Sequence, residues 1–218
     1  MKRLTKEERF TFIITLCLSF LPLIVGLLLW NRLPDQLPGH FGFSGEPDRY
    51  DPKGTIVFGA GLFIPLLYLF TMFIMLNDPK NSNMSEKVMK LIMWTMPCVS
   101  LFLCITIYGY ALGLKLDITV LSMILLGIMF IFIGNYLPKC RQSYTVGIRC
   151  SWTLNDPENW EKTHRFAGHV FVLCGLLMIL VSPLARKIGP LILLIIIVAA
   201  GLPYIYSYDL YRKKINEG

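Results

Sequence analysis

Six stretches of this chain, 10–30, 55–76, 91–114, 118–138, 166–184 and 188–208, run for 19 to 24 residues without an Asp, Glu, Lys or Arg. About 20 helical residues, each rising 1.5 Å, cross a hydrocarbon core of ~30 Å, so every stretch is long enough for one crossing. A spanning strand would need only ~10 residues of alternating polarity, and none of the stretches alternates. The expected fold is therefore all-α: a polytopic transmembrane helix bundle of six spans within a single membrane domain, 1–218. The closely spaced Arg186, Lys187 and Gly189 leave only a tight turn between the last two spans. A five-span alternative leaves the last uncharged stretch unassigned. Composition agrees, with 55% hydrophobic residues, 16% charged and a mean hydropathy of +0.58. A soluble domain carries roughly a quarter of its residues charged. These numbers exclude a disordered chain, a nucleic-acid-coating protein and an ordinary cytosolic enzyme.

Lys2, Arg3, Lys6 and Arg9 precede the first stretch like the basic region of a signal peptide. The stretch is longer than a usual signal core, and no small-x-small cleavage site follows it, so a retained first helix is expected. With the N-terminus inside, alternate connections place fifteen Lys and Arg on the cytoplasmic side and six outside. Both termini are then cytoplasmic, because basic residues stay on the inner face. The net charge of +7 is accounted for by topology and anionic headgroups, with the lipid bilayer as partner and no direct nucleic acid. Of the six cysteines, Cys17, Cys98, Cys104 and Cys174 fall inside spans as small apolar residues, and Cys140 and Cys150 fall on the reducing side.

Two long connections hold the distinctive chemistry. The first, 31–54, belongs to an N-terminal half, 10–114, and is expected outside. Its prolines and glycines argue against helix, and Pro47-Asp48 and Asp51-Pro52 mark turns. His40, Glu46 and Asp48 are candidate metal or proton groups, but their spacing matches no ligand pattern; a polar cap with a locally hydrogen-bonded histidine is the reading preferred, and no metal is expected. The second, 139–165, belongs to the other half, 115–218, and is expected in the cytoplasm. Residues 144–149 suggest an extended piece turning at Gly147. Asn155-Asp156-Pro157-Glu158 carries a helix start: a capping side chain, a proline for the first turn and an acid at the positive helix end. On that helix Trp160, His164 and Gly168 share one face, and Gly168 admits a close neighbour. Trp152 and Trp160 suit the headgroup level or a recognition role. His169, a polar ring inside a span, is a functional candidate or a neutral interfacial histidine. Arg149 can alternatively pair with Glu158 or Glu161. No zinc-peptidase, hydrolase-triad or phosphate-loop pattern occurs, so there is no positive signal for catalysis and no cofactor is expected.

Splitting the chain after the third span gives two halves of like plan. Asn31-Arg32-Leu33-Pro34 ends the first span and Asn135-Tyr136-Leu137-Pro138 the fourth. An inverted 3+3 repeat, a common plan of secondary transporters, makes a small-molecule or ion transporter the alternative function.

Residues 134–180 resemble the signature of the SdpI immunity-protein family. Gly134-Asn135-Tyr136, then Gly147-Ile148-Arg149 with Trp152-Thr153-Leu154, then Trp160 with Thr163-His164-Arg165, stand in the family's order. The 33–54 segment, with Pro38, His40 and Gly45, resembles the uncharacterised module that precedes it in such proteins. Cys150-Ser151 and Gln142-Ser143 depart from the family's usual Thr-Pro and Pro-Asn. The resemblance implies a multi-pass protein of the bacterial inner (cytoplasmic) membrane that gives immunity to a secreted toxin peptide. It also implies signal transduction: with toxin outside, such proteins hold a small winged-helix autorepressor at the inner face. On that basis the cytoplasmic partner-binding residues are Asn135, Tyr144, Gly147, Arg149, Trp152, Thr153, Trp160, His164 and Arg165. Those outside are Pro38, His40, Gly45, Glu46, Asp48 and Tyr50.

Overall fold

The computed structural model describes residues 3–80 and 84–217. The elements in order are α1 (Lys6–Ser19), α2 (Leu21–Leu28), β1 (Gln36–Phe41), β2 (Pro47–Pro52), α3 (Lys53–Leu76), α4 (Glu86–Leu103), α5 (Gly109–Ala111), α6 (Ile118–Tyr136), α7 (Ser151–Asn155), α8 (Pro157–Val181) and α9 (Ala185–Glu217). A π-helical turn, Cys104–Tyr108, joins α4 to α5. Among the described residues five helical stretches are long and apolar enough to cross a membrane, the last of them, Pro157–Glu217, holding both α8 and α9. The all-α polytopic bundle is thus the architecture, with one small hairpin added. The helices form two compact units: 3–74 with 89–118, and 75–80, 84–88 and 119–217.

In the first unit, α1 opens with a capping box. The Thr5 hydroxyl accepts from the Glu8 N–H, and the Glu8 carboxylate accepts from the Thr5 N–H at 2.8 Å. The first apolar stretch is not one helix, as expected, but breaks at Phe20, because Pro22 supplies no N–H to continue the ladder. Hydroxyl groups cover carbonyls around the break. Ser100 donates to the Ser19 carbonyl at 3.0 Å and Tyr108 to the Pro22 carbonyl at 2.7 Å. Thr15 and Tyr68 share a buried hydrogen bond of 2.7 Å. Lipid tails are as apolar as leucine, so such bonds and close packing, more than hydrophobicity, hold spanning helices together.

The connection after α2 corrects one expectation. Pro47-Asp48 and Asp51-Pro52 are not turns but the two ends of β2, antiparallel to β1, with Leu37 opposite Asp51 and Pro38 opposite Tyr50. The turn lies earlier, at Gly45, whose φ of +82° suits glycine. Leu37, fully buried, fixes the hairpin to a cluster of Leu33, Val57 and Tyr108.

In the second unit α8 and α9 form an antiparallel hairpin. The chain reverses through a 3₁₀ turn, Ser182–Leu184, and a kink at Ile188, so the turn begins before the Arg186-Lys187 pair. Met178, Cys174 and Val170 pack on Ala185, Ile192, Ile195 and Ala199. At the other end Asn159 donates to the Ser207 carbonyl at 2.9 Å and Lys214 pairs with Asp156 at 2.8 Å.

The α6 helix crosses α8 at glycines seven residues apart on each helix and running in opposite directions. A Cβ at Gly134 would lie 2.7 Å from the Gly168 carbonyl oxygen, and one at Gly127 would lie 2.7 Å from that of Gly175. Only hydrogen at these four positions lets the backbones meet. The close neighbour expected below His164 is therefore α6.

Candidate functional site

The 139–165 connection folds into a plate held by three internal locks. The first is Asp78, two residues past the end of the 55–76 stretch. Its Oδ2 accepts from the Ser143 hydroxyl at 2.6 Å, the Tyr144 and Thr145 N–H groups at 2.8 and 3.0 Å, and the Thr145 hydroxyl at 2.8 Å. Its Oδ1 accepts from the Lys80 N–H at 2.8 Å. Burial opposes ionisation here, but the donors from Ser143, Thr145, Lys80 and Tyr144 outweigh it and hold the Asp78 carboxyl below the ordinary range. Lys80 adds a contact of its own: its ammonium donates to the Leu154 carbonyl at 3.1 Å and lies 4.7 Å over the Tyr144 ring.

The second lock is built on one face of α8, as the spacing of Trp160, His164 and Gly168 requires. Asp156 caps the helix by accepting from the Glu158 and Asn159 N–H groups, and Pro157 takes the first helical position. The Trp160 and His164 rings stack at 4.0 Å. The Ile148 N–H donates to His164 Nε2 at 2.9 Å, so that nitrogen carries no proton. The proton sits on Nδ1, which donates to the Trp160 carbonyl at 2.8 Å. His164 is thus a neutral imidazole with both nitrogens in use. Gly147 lies against this pair with φ of +112°, and a Cβ there would be 2.9 Å from two Trp160 ring carbons. Residues 144–149 hold no strand; the extended piece expected there is a series of bends closed by Gly147. The Trp160 indole donates to the Cys140 carbonyl at 2.8 Å. Thr153 finishes the lock: its hydroxyl accepts from the Cys150 N–H at 2.9 Å and donates toward the Ile148 carbonyl at 2.9 Å.

The third lock is aromatic. Trp152 donates to the Ser207 hydroxyl at 3.0 Å and sits among Tyr204, Tyr208 and Tyr211, with ring centroids 5.4, 5.4 and 5.7 Å away. Beside it the Lys214 ammonium, as hydrogen-bond donor, holds the Asp156 carboxyl below its usual range.

The sequence-selected residues therefore divide in two. Thr153, Trp160 and His164 are buried, at 0, 3 and 1% exposure, and Gly147 packs against them. The Trp160 ring is interior, packed within the protein rather than exposed as a surface anchor. Asn135, Tyr144, Arg149 and Arg165 are exposed. Arg149 does not reach Glu158 or Glu161. It donates to the Tyr144 carbonyl, while Glu158 pairs with Lys162 and Glu161 with Arg165. His169 lies on the exposed outer face of α8. The Cys140 thiol is pushed up to about 11 by burial, and burial likewise raises Cys150, so both are protonated near neutral pH. Asp78 was absent from the sequence-based selection. Its only local signal is an isolated acid in the Asn77-Asp78-Pro79 connection.

In the hairpin, His40 Nδ1 lies 2.6 Å from Asp48 Oδ1, with both side chains exposed. Arg49 pairs with Asp51 at 3.0 Å and donates to the Gly39 carbonyl at 3.2 Å. Tyr110 donates to Glu46 at 3.0 Å and packs edge-on against Phe41, tying the hairpin tip to α5. Pro38 and Gly45 shape the hairpin, whereas His40, Asp48 and Tyr50 point to its surface. No group of three or more His, Cys, Asp or Glu suited to a metal occurs among the described residues.

These features define a polytopic helical membrane protein with a polar plate on one unit and a hairpin on the other. The SdpI/YfhL protein family model matches residues 139–207, and a domain of unknown function, DUF1648, matches residues 17–64. The plate and the helical hairpin behind it thus lie in the stretch that the SdpI/YfhL model matches, and the resemblance read from its motifs holds. The chain is 26% identical over 202 residues to Immunity protein SdpI of Bacillus subtilis (strain 168), covering 92% of this chain and 94% of that one. No solved structure matches.

Proposed function

We propose that this chain is a membrane immunity protein that protects its cell against a secreted toxin peptide. The near end-to-end similarity to an immunity protein, spanning both the SdpI and the DUF1648 regions, carries the reading. In this account the chain crosses the bacterial cell membrane six times with both termini in the cytoplasm, as the distribution of Lys and Arg favours. The β1–β2 hairpin faces outward, presenting His40, Glu46, Asp48 and Tyr50 to the toxin. The plate faces inward, presenting Tyr144, Arg149 and Arg165 to a small winged-helix repressor, since arginine and tyrosine are favoured at contact surfaces. Gly147, Thr153, Trp160 and His164 serve recognition indirectly, by holding the backbone that carries those side chains. Signalling then requires two arrangements of the helices whose balance the toxin biases.

The test is survival. Bacillus subtilis cells lacking their own Immunity protein SdpI express this chain at verified membrane abundance and meet medium from toxin-secreting cells. Protection supports the reading; full sensitivity at normal abundance removes it.

A further inference from the structure

The outer face of α8 changes character within a few turns. Glu158, Glu161, Lys162 and Arg165 are exposed, His169 follows one turn on, and Leu173, Leu176 and Leu180 beyond it are 67, 52 and 78% exposed. On a membrane-spanning helix an exposed leucine faces lipid, so the boundary between headgroups and hydrocarbon falls at His169. An open groove of about 380 Å³ lies at this level, within the size range of small-molecule sites. Its floor is Phe166 stacked on Tyr206 of α9, with ring centroids 4.5 Å apart.

The walls carry both signs of charge. Lys162 pairs with Glu158 at 2.7 Å and Arg165 with Glu161 at 2.5 Å. Two carboxylates against two cations leave no formal excess, so an anionic headgroup finds no net attraction. A headgroup that itself carries separated charges can meet both. Donors are in place: Arg165 uses one guanidinium nitrogen on Glu161, and neither His169 nor the Tyr206 hydroxyl makes a hydrogen bond among the described residues.

We propose that this groove binds the headgroup of a zwitterionic phospholipid of the phosphoethanolamine type. The phosphate takes N–H groups of Arg165 with His169 and the Tyr206 hydroxyl. The ammonium donates to Glu158 and Glu161, and an acyl chain descends over Leu173. Charge-assisted hydrogen bonds of this kind are about twice as strong as neutral ones. An ammonium donates where a quaternary amine cannot, which selects ethanolamine over choline. The proposal shares Arg165 with the proposed cytoplasmic contact, so its test is made at His169 and Tyr206, which that contact does not use.

The full chain purified in detergent is titrated with phosphatidylethanolamine, phosphatidylglycerol or phosphatidylcholine, and retained lipid is read by native mass spectrometry. Ethanolamine lipid is expected to bind best. His169→Leu, a side chain suited to a lipid-facing position, and Tyr206→Phe, which keeps the stack on Phe166, should each weaken it about tenfold. The lipid-free melting temperature of both variants should stay unchanged, which separates lost binding from lost folding. Equal retention of the three lipids, preference for phosphatidylglycerol, or variants that bind like the parent would overturn the proposal.

Discussion

Replacing Gly147 by alanine attacks the second lock at its tightest point. The added methyl would sit 2.9 Å from two ring carbons of Trp160 and closer still to His164 Nε2. Both rings are buried and stacked on each other, so neither can swing away. Three costs follow. A side chain at φ of +112° strains the backbone by roughly 1–3 kcal/mol. Overpacking against fixed rings costs about 1–3 kcal/mol. Displacing the loop breaks the bond from the Ile148 N–H to His164 and leaves a buried donor, again about 1–3 kcal/mol. A single displacement relieves part of each, so the combined loss is about 3–5 kcal/mol. At about 2–4 °C per kcal/mol for a chain of this size, the purified protein should melt roughly 6–20 °C lower. Thermal unfolding in mild detergent measures this, with tryptophan fluorescence reporting the opening around Trp160. A melting temperature within about 2 °C of the parent would refute the idea that Gly147 closes the plate on Trp160 and His164.

Asp78→Asn should destabilise the plate by about 2–3 kcal/mol, since an amide turns its N–H toward donors that a carboxylate accepts; detergent unfolding reads the loss. Asp78 is held below its ordinary range, so its contribution is complete above the unfolded value of about 4 and disappears as pH falls through the lower folded value. An acid titration of stability should therefore show a drop below about pH 4 that the Asn variant lacks. Gly168→Leu should abolish membrane accumulation, because its side chain would enter the α6 backbone at Gly134; normal abundance would contradict the glycine crossing. Cysteines introduced for Tyr50 and Arg141, in a chain otherwise free of cysteine, should react with a membrane-impermeant reagent from outside only at position 50. Equal labelling in intact cells would refute the assigned orientation.

The spans were legible because hydrocarbon imposes one simple demand, long uncharged helix, that the sequence answers directly. The start of α8 was equally plain, since Asp156 and Pro157 act locally. What escaped notice depends on distant partners. Pro47 and Pro52 read as turn residues in isolation, yet they bound an edge strand because β1 pairs with β2 and Leu37 is pulled into the cluster with Val57 and Tyr108. Trp160 has the composition of an interfacial ring; only Gly147, seated against it from 13 positions earlier, makes it interior. Asp78 was missed because its donors Ser143, Tyr144 and Thr145 lie 65 to 67 positions away. The motif was recognisable, but which of its residues face inward was decided by these long-range bonds.

Survival of toxin-exposed cells carrying the triple variant His40→Ala, Asp48→Ala, Tyr50→Ala, three exposed side chains of the hairpin, tests most directly whether immunity runs through the outward face. The account predicts normal membrane abundance and melting temperature with protection lost. Full protection from that variant would contradict it.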